Sequence, residues 1–312
     1  MEILLCGSFD DQARNEWLAV LRAAFPDGRW LTPQDSFDPA KIEAAVVANP
    51  LPGSLQRLPN LRLIQSLWAG VDRLMQDASL PSQVPVARMV DPTMNQAMAQ
   101  TALWATLSLH RGFFRYAAQQ HSGVWQQWPQ RRADEVSVTV LGMGQMGRCC
   151  AHALAAQGYK VTGWRAKPAA TGDGIESYTG HKALATLLAE SDVVINLLPL
   201  TAETRGILNA RLFANMRYGA GLVNLARGAH LVEADLLAAL GEGRIGHAVL
   251  DVFDQEPLPV DHPFWQHPQV TLLPHVAAIT DNRSAASIVA ENLRALRDGT
   301  PLANLVDRAR GY

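Results

Sequence analysis

The chain predicts an α/β protein built from two doubly wound parallel-sheet domains, and three observations carry that expectation. Short apolar runs bounded by turn residues alternate with helical patterns along most of its length. A glycine-rich turn, Gly142-Met143-Gly144-Gln145-Met146-Gly147, stands between one such run and a helix. Three late apolar runs lead to charged or titratable groups, at Arg227, Glu256 and His275. Buried parallel strands read as continuous apolar runs, and ligands in open α/β sheets sit beyond their carboxyl ends. A guanidinium, a carboxylate and an imidazole gathered at one sheet edge make an acid/base site with an anion clamp, so the chain is expected to be an enzyme.

Bulk properties set the outer limits. At 312 residues with 48% hydrophobic content, the chain exceeds one ordinary core and suits two domains. A net charge of −2 gives no bulk attraction to nucleic acid or acidic membranes, and neither is expected as a partner. The opening Met1-Glu2-Ile3-Leu4-Leu5-Cys6-Gly7 lacks a basic region and is too short for a signal peptide or a membrane span. Cys6, Cys149 and Cys150 form neither a disulfide framework nor a metal site, which points to a reducing, cytoplasmic compartment and to no bound metal.

The elements follow in order. Residues 3–6, 44–48 and 61–67 read as strands and 10–24 as a helix, with Pro50, Pro52, Gly53 and Pro59 punctuating the connections. One long helix is expected over 96–116, followed by a polar arm at 119–132 that holds Trp125 and Trp128. Aromatics are enriched in interface cores, so the arm suggests a contact with a second subunit. A second alternating series supplies strands at 136–141, 159–163, 193–197, 221–225, 245–253 and 270–273. The helix at 233–240 is expected to be capped by Gly241, and a last helix over 281–297 to cross back onto the first domain.

The strand at 136–141 runs into the glycine turn and then into a helix over 148–157. In that context the G-x-G-x-x-G pattern is a strong dinucleotide signal, although alone it is weak. Gly142 permits the tight turn, Gly144 lets the backbone approach a pyrophosphate, and Gly147 lets helix pack on strand; the amides near Gln145 and Met146 face the phosphates. An acid about 20 residues further on would hold the ribose of NAD. Here the run is Trp164-Arg165-Ala166-Lys167, with no acid before Asp173. Arg165 and Lys167 suit a 2′-phosphate, and Trp164 or the Arg165 plane could stack on adenine. NADP(H) is therefore the expected cofactor, with NAD(H) as the alternative.

Asn224-Leu225-Ala226-Arg227-Gly228, Leu250-Asp251-Val252-Phe253-Asp254-Gln255-Glu256-Pro257 and Pro274-His275-Val276-Ala277-Ala278 resemble, with the glycine loop, the D-2-hydroxyacid dehydrogenases. The likeness covers nearly the whole chain. Asn196-Leu197-Leu198-Pro199, Trp265-Gln266-His267-Pro268 and Val306-Asp307-Arg308-Ala309-Arg310-Gly311-Tyr312 bring it nearest to that family's bacterial glyoxylate/hydroxypyruvate reductases of the A type. The resemblance implies a Rossmann-type cofactor domain at 99–280 inserted in a flavodoxin-like substrate domain at 1–98, completed by 281–312, with the active site in the cleft and a homodimer as the assembly.

Reducing a 2-keto acid takes a hydride and a proton. The resemblance makes His275 the general acid, Glu256 its partner on the far ring nitrogen, and Arg227 the clamp for carboxylate and keto oxygen. It also implies cofactor contacts from Leu198, Pro199, Thr204, Leu225 and Ala226, with Asp251 orienting the nicotinamide amide or ribose. A turn following the strand at 61–67, made of Trp68, Ala69, Gly70 and Val71, is expected to offer amides to the substrate carboxylate. The family usually has glycine where this chain has Trp68, which puts pocket size in question. The implied activity is NADPH-dependent reduction of glyoxylate and hydroxypyruvate; a bulkier 2-keto acid, or a non-catalytic cofactor sensor on the same fold, are the competing readings.

Overall fold

Residues 1–166 and 174–311 are described in the computed structural model, which divides into two units, Met1–Met94 with Thr280–Tyr312 and Asn95–Ile279. The first crossing thus precedes Asn95, slightly earlier than the sequence places it.

In the first unit, β1 (Glu2–Gly7), α1 (Asp11–Ala24), β2 (Arg29–Leu31), β3 (Ile42–Ala48), β4 (Leu63–Ser66), α2 (Asp72–Met75) and β5 (Val86–Ala87) follow in sequence. The strands are all parallel in the order β2-β1-β3-β4-β5, the flavodoxin-like arrangement. Leu4, Cys6, Ala45, Val47 and Ile64 pack with Val71 and Leu74 on one face. On α1, Asp10 caps the Ala13 amide at 2.7 Å and the helix buries Trp17, Leu18 and Leu21. The chain's last helix, Asn282–Asp298, returns to this unit, buries Ala285, Val289 and Leu293, and packs along α1. Its buried Asn292 amide donates to Gln65 Oε1 on β4 at 2.6 Å, and Gly299 ends it in the left-handed conformation.

In the second unit, the helix expected over 96–116 is two helices. Gly112, at φ +71°, separates α3 (Pro92–Arg111) from α4 (Phe113–His121). Then come β6 (Ser137–Leu141), α5 (Gln145–Ala155), β7 (Lys160–Arg165), β8 (Ser177–Thr179), α6 (His181–Glu190), β9 (Val193–Asn196), α7 (Ala210–Asn215), β10 (Ala220–Asn224), α8 (Glu233–Gly241), β11 (Ile245–Leu250) and β12 (Val270–Leu272). The parallel order is β12-β11-β10-β9-β6-β7-β8, so the winding reverses between β6 and β9. Such a switch point is where dinucleotides bind in this architecture, and the glycine turn follows β6 directly.

Other differences from the sequence reading are local. Strands β2, β5 and β8 span only two or three residues, too few to leave a periodic signal. Gly241 lies inside α8; the residue with positive φ is Gly243, at +70°. β11 stops at Leu250, because the chain turns at Asp251. Cys150 is fully buried and its thiol is pushed up to about 12, mainly by burial, which makes it unreactive. No helix among the described residues is long and apolar enough to cross a membrane.

The polar arm after α4 is irregular, and its root is tied to the sheet. Arg131 reaches Asp192 through two bonds of 2.7 and 3.0 Å, Arg217 adds a third at 3.0 Å, and the Ser137 amide a fourth at 2.9 Å. Burial alone would raise the Asp192 carboxyl, but these donors outweigh it and hold it below its usual range. A carboxylate depressed in this way stabilises the fold at neutral pH and loses that contribution as pH falls. Asp192→Asn is expected to cost about 2 kcal/mol at pH 7, with the gap from the parent closing below about pH 4; thermal melting across pH measures it.

Candidate active site

Two glycines of the turn meet steric demands, and the third stands open. Gly142 lies at φ +100°, and a Cβ there would stand 2.5 Å from the Leu197 carbonyl oxygen. A Cβ on Gly147 would overlap the Gly142 carbonyl oxygen, so α5 can start this close to the turn only as glycine. Gly144 differs, since no atom among the described residues lies within 4 Å of its Cβ position. Both Gly144 and Gln145 are exposed, and Gly144 is the N-cap of an 11-residue helix. Free amides at an open helix start fit a pyrophosphate.

Arg165, the last residue of β7, bends back to this turn and donates from Nη2 to the Met143 carbonyl at 3.2 Å. Its Nε is buried and has no hydrogen-bond partner among the described residues. An unsatisfied buried guanidinium nitrogen beside a phosphate-type loop fits an additional anionic group. Trp164 requires a correction. It points to the opposite face of β7, is 4% exposed, packs in the core with Leu184 and Leu188, and donates from its indole to the Gly180 carbonyl at 3.1 Å. It is therefore not available to stack on adenine. Lys167 lies outside the described residues.

The other expected cofactor residues lie on the loops that follow β9 and β10. Leu198, Leu225 and Ala226 are buried. Thr204 Oγ1 donates to the Pro199 carbonyl at 2.7 Å and accepts from the Thr201 amide at 2.8 Å, which closes the loop after β9 on itself.

Arg227 and His275 each lie three residues beyond their strands, and Asp251 directly follows β11, so the neighbouring strands β10, β11 and β12 bring all three to one edge. His275 Nδ1 donates to Glu256 Oε2 at 2.7 Å, while Glu256 Oε1 accepts from the Phe253 amide at 2.9 Å. The ring is held by Nδ1, which leaves Nε2 as its second functional nitrogen. His275 has φ +55°, a strained conformation for a non-glycine residue. Its amide donates to the Asp251 carbonyl at 2.9 Å, and the Asp251 carboxylate takes the next two amides, Val276 at 2.7 Å and Ala277 at 3.1 Å. Burial raises the Asp251 carboxyl, and those two amides pull it back down in part. Asp251 therefore positions the histidine loop. Thr101 of α3 secures the same loop by donating to the Ala277 carbonyl at 2.9 Å.

Arg227 is half-buried and donates from Nη1 to the Ala226 carbonyl at 2.7 Å. The next residue explains why an Arg-Gly pair stands here. A Cβ on Gly228 would overlap the Phe253 carbonyl and the Asp254 amide, so glycine brings the Arg227 turn into contact with the segment leading to Glu256. Sequence reasoning missed three buried residues beneath this edge, Asn196, Asn224 and His230. The signal was an asparagine closing each of two neighbouring apolar strands.

In the first unit, the Trp68 indole meets Trp17 edge to face at 6.3 Å between centroids, so it is turned onto α1. The turn is fixed by Ser66 Oγ, which accepts from the Trp68 amide at 3.0 Å, and by the Met89 amide on the Trp68 carbonyl, also at 3.0 Å. Ala69 and Gly70 are half-buried and Val71 is buried. The helix that follows, α2, is only four residues long and adds little dipole. His247 is a packing residue, stacked on Phe114 at 4.4 Å and bonded to Thr271 Oγ1 at 2.8 Å; burial, chiefly, and His267 lower it to about 4.

A carboxylate-held imidazole and an arginine at neighbouring strand ends of a dinucleotide-type domain define a nicotinamide-dependent oxidoreductase. Comparison with known proteins narrows the class. The family model described as D-isomer specific 2-hydroxyacid dehydrogenase, NAD binding domain, matches residues 103–277. Over 302 residues the chain is 40% identical to the glyoxylate/hydroxypyruvate reductase A of Serratia proteamaculans, spanning 95% of this chain and 96% of that protein. A D-isomer specific 2-hydroxyacid dehydrogenase from Xanthobacter autotrophicus, solved with NADPH and MES, has a TM-score of 0.94 at 39% identity, over 100% of this chain and 99% of its own. The NADPH-dependent glyoxylate/hydroxypyruvate reductase of Sinorhizobium meliloti, solved with NADP and sulfate, gives 0.92 at 35% identity, over 100% and 99%. The chain belongs to the D-isomer specific 2-hydroxyacid dehydrogenase family.

The two glycines are expected to separate stability from binding. Gly147→Ala should destabilise the second unit by about 1–3 kcal/mol or more through overpacking. Gly144→Ala should leave the melting temperature unchanged and weaken dinucleotide binding. Melting curves and a fluorescence titration with NADPH read the two effects separately.

Proposed function

We propose that this chain reduces glyoxylate to glycolate and hydroxypyruvate to D-glycerate with NADPH. The observation that carries the reading is the 2.7 Å His275–Glu256 pair, held at the same sheet edge as Arg227 in a dinucleotide-type domain. The names of the Serratia and Sinorhizobium relatives support the substrate pair. Both solved relatives are in complex with NADPH or NADP, which accords with the Arg165 guanidinium, set beside the glycine turn, as a ligand for the 2′-phosphate. Gly142, Gly144 and Gly147 shape the pyrophosphate site, with the amides of Gln145 and Met146 as donors.

When bound, NADPH supplies the hydride. Arg227 holds the substrate carboxylate and polarises the keto oxygen through its planar fork of donors. His275 delivers a proton from Nε2 to the developing alkoxide, while Glu256 keeps the ring oriented through Nδ1. The Asp251 carboxylate, with both oxygens bonded to loop amides, acts by fixing the His275 backbone. The amides of Gly70 and Val71, in the turn with Trp68 and Ala69, are assigned to the substrate carboxylate by family resemblance. The unpaired cysteines suit a cytoplasmic enzyme. Trp125, 95% exposed, suits a homodimer.

A panel of 2-keto acids assayed with NADPH and NADH tests the assignment; a parent enzyme that oxidises neither cofactor with glyoxylate or hydroxypyruvate would remove it. His275→Ala should lower turnover by about 10²–10⁴ with the fold intact. Arg165→Asp should shift the ratio of kcat/KM from NADPH toward NADH, and an unchanged ratio would contradict its 2′-phosphate role.

A further inference from the structure

Asn196 and Asn224 are the last residues of the neighbouring strands β9 and β10, and they lie opposite each other in the parallel register. Both are completely buried, as is His230 in the short turn after Arg227. The Asn196 amide nitrogen donates to Asn224 Oδ1 at 2.9 Å and lies 3.0 Å from His230 Nδ1. His230 Nε2 lies 3.3 Å from the Pro199 carbonyl. Asn224 Nδ2 donates to the Arg227 carbonyl at 3.1 Å, and its Oδ1 also accepts the Ala226 amide at 3.3 Å.

These partners leave one consistent set of hydrogens. A carbonyl only accepts, so His230 Nε2 carries the proton and Nδ1 is the bare nitrogen. Both amide hydrogens of Asn196 are then used, one on His230 Nδ1 and one on Asn224 Oδ1. Rotating the Asn196 amide by half a turn would set oxygen against two acceptors. The relay has a single orientation and runs from the Pro199 carbonyl, through His230, Asn196 and Asn224, to the carbonyl of Arg227. Its two ends are the loop after β9 and the turn that carries the anion-binding arginine.

We propose that His230 is a positioning residue for the reaction, which sets the Arg227 turn against the Pro199 loop so that keto acid and cofactor are held in one fixed relation. The inference rests on the function proposed above. Buried polar networks of this kind are rigid when every partner is present and costly when one is lost. His230→Gln retains a donor for Pro199 and an acceptor for Asn196. His230→Phe fills the space and retains neither.

The test compares the parent with His230→Gln, His230→Phe, Asn224→Ala and the Phe/Ala double variant. Steady-state kinetics with a 2-keto acid, fluorescence titration with NADPH and thermal melting are read for each. The expected result is a Gln variant within about threefold of the parent, and a Phe variant with kcat/KM for the keto acid down about tenfold or more and NADPH binding weakened severalfold. Because one relay is cut in two places, the double variant should lose no more than the worse single variant. Should the Phe variant fail to fold, His230→Ala carries the same expectation.

A Phe or Ala variant that matches the parent in keto acid KM and NADPH affinity would overturn the relay. So would Gln and Phe variants that lose activity equally, or losses that multiply in the double variant. A parent that neither binds NADPH nor reduces any 2-keto acid would instead remove the function on which the relay rests.

Discussion

The site depends first on one buried carboxylate. Asp251 ends β11, and its side chain takes the amides of Val276 and Ala277 while its carbonyl takes the amide of His275. Three hydrogen bonds thereby hold the segment after β12 in a backbone conformation that a histidine would otherwise rarely adopt. The energy of that strain is offset by amides that would be unsatisfied without the carboxylate. The imidazole can meet Glu256 only because the backbone beneath it is fixed in this way.

Topology supplies the second constraint. Parallel strands covered on both faces put every strand's carboxyl end on one edge, and the reversal between β6 and β9 opens the edge for a dinucleotide. Glycines then set how closely the loops at that edge approach. Gly147 brings α5 against the turn, and Gly228 brings the Arg227 turn against the segment that leads to Glu256. The reactive groups come from loops, but the distances between the loops are set by backbone contacts that tolerate no side chain.

Much of this was legible in the sequence, for physical reasons that differ from residue to residue. The glycine turn stands out because three glycines fall within six residues, and at two of them, Gly142 and Gly147, a Cβ would meet backbone. His275, Glu256 and Arg227 stand out because each follows an apolar run whose polarity changes abruptly. The edge strands β2, β5 and β8 were invisible, since two or three residues carry no period. Trp164 was misread because strand alternation sends it into the core while Arg165, one residue on, reaches the glycine turn. Asn196 and Asn224 were quoted within the motifs and left without a role, because their partnership is a matter of register between strands far apart in sequence.

The return of the last helix to the first unit has a consequence for biosynthesis. Residues 95–279 form an uninterrupted stretch that can acquire its core as it leaves the ribosome. The other unit cannot: Gln65 must wait for Asn292, and α1 for the apolar face of the helix Asn282–Asp298, more than two hundred residues later. Its nascent sheet is left with one flank uncovered until the helix Asn282–Asp298 has emerged, so that half of the molecule is exposed to misassembly for longer.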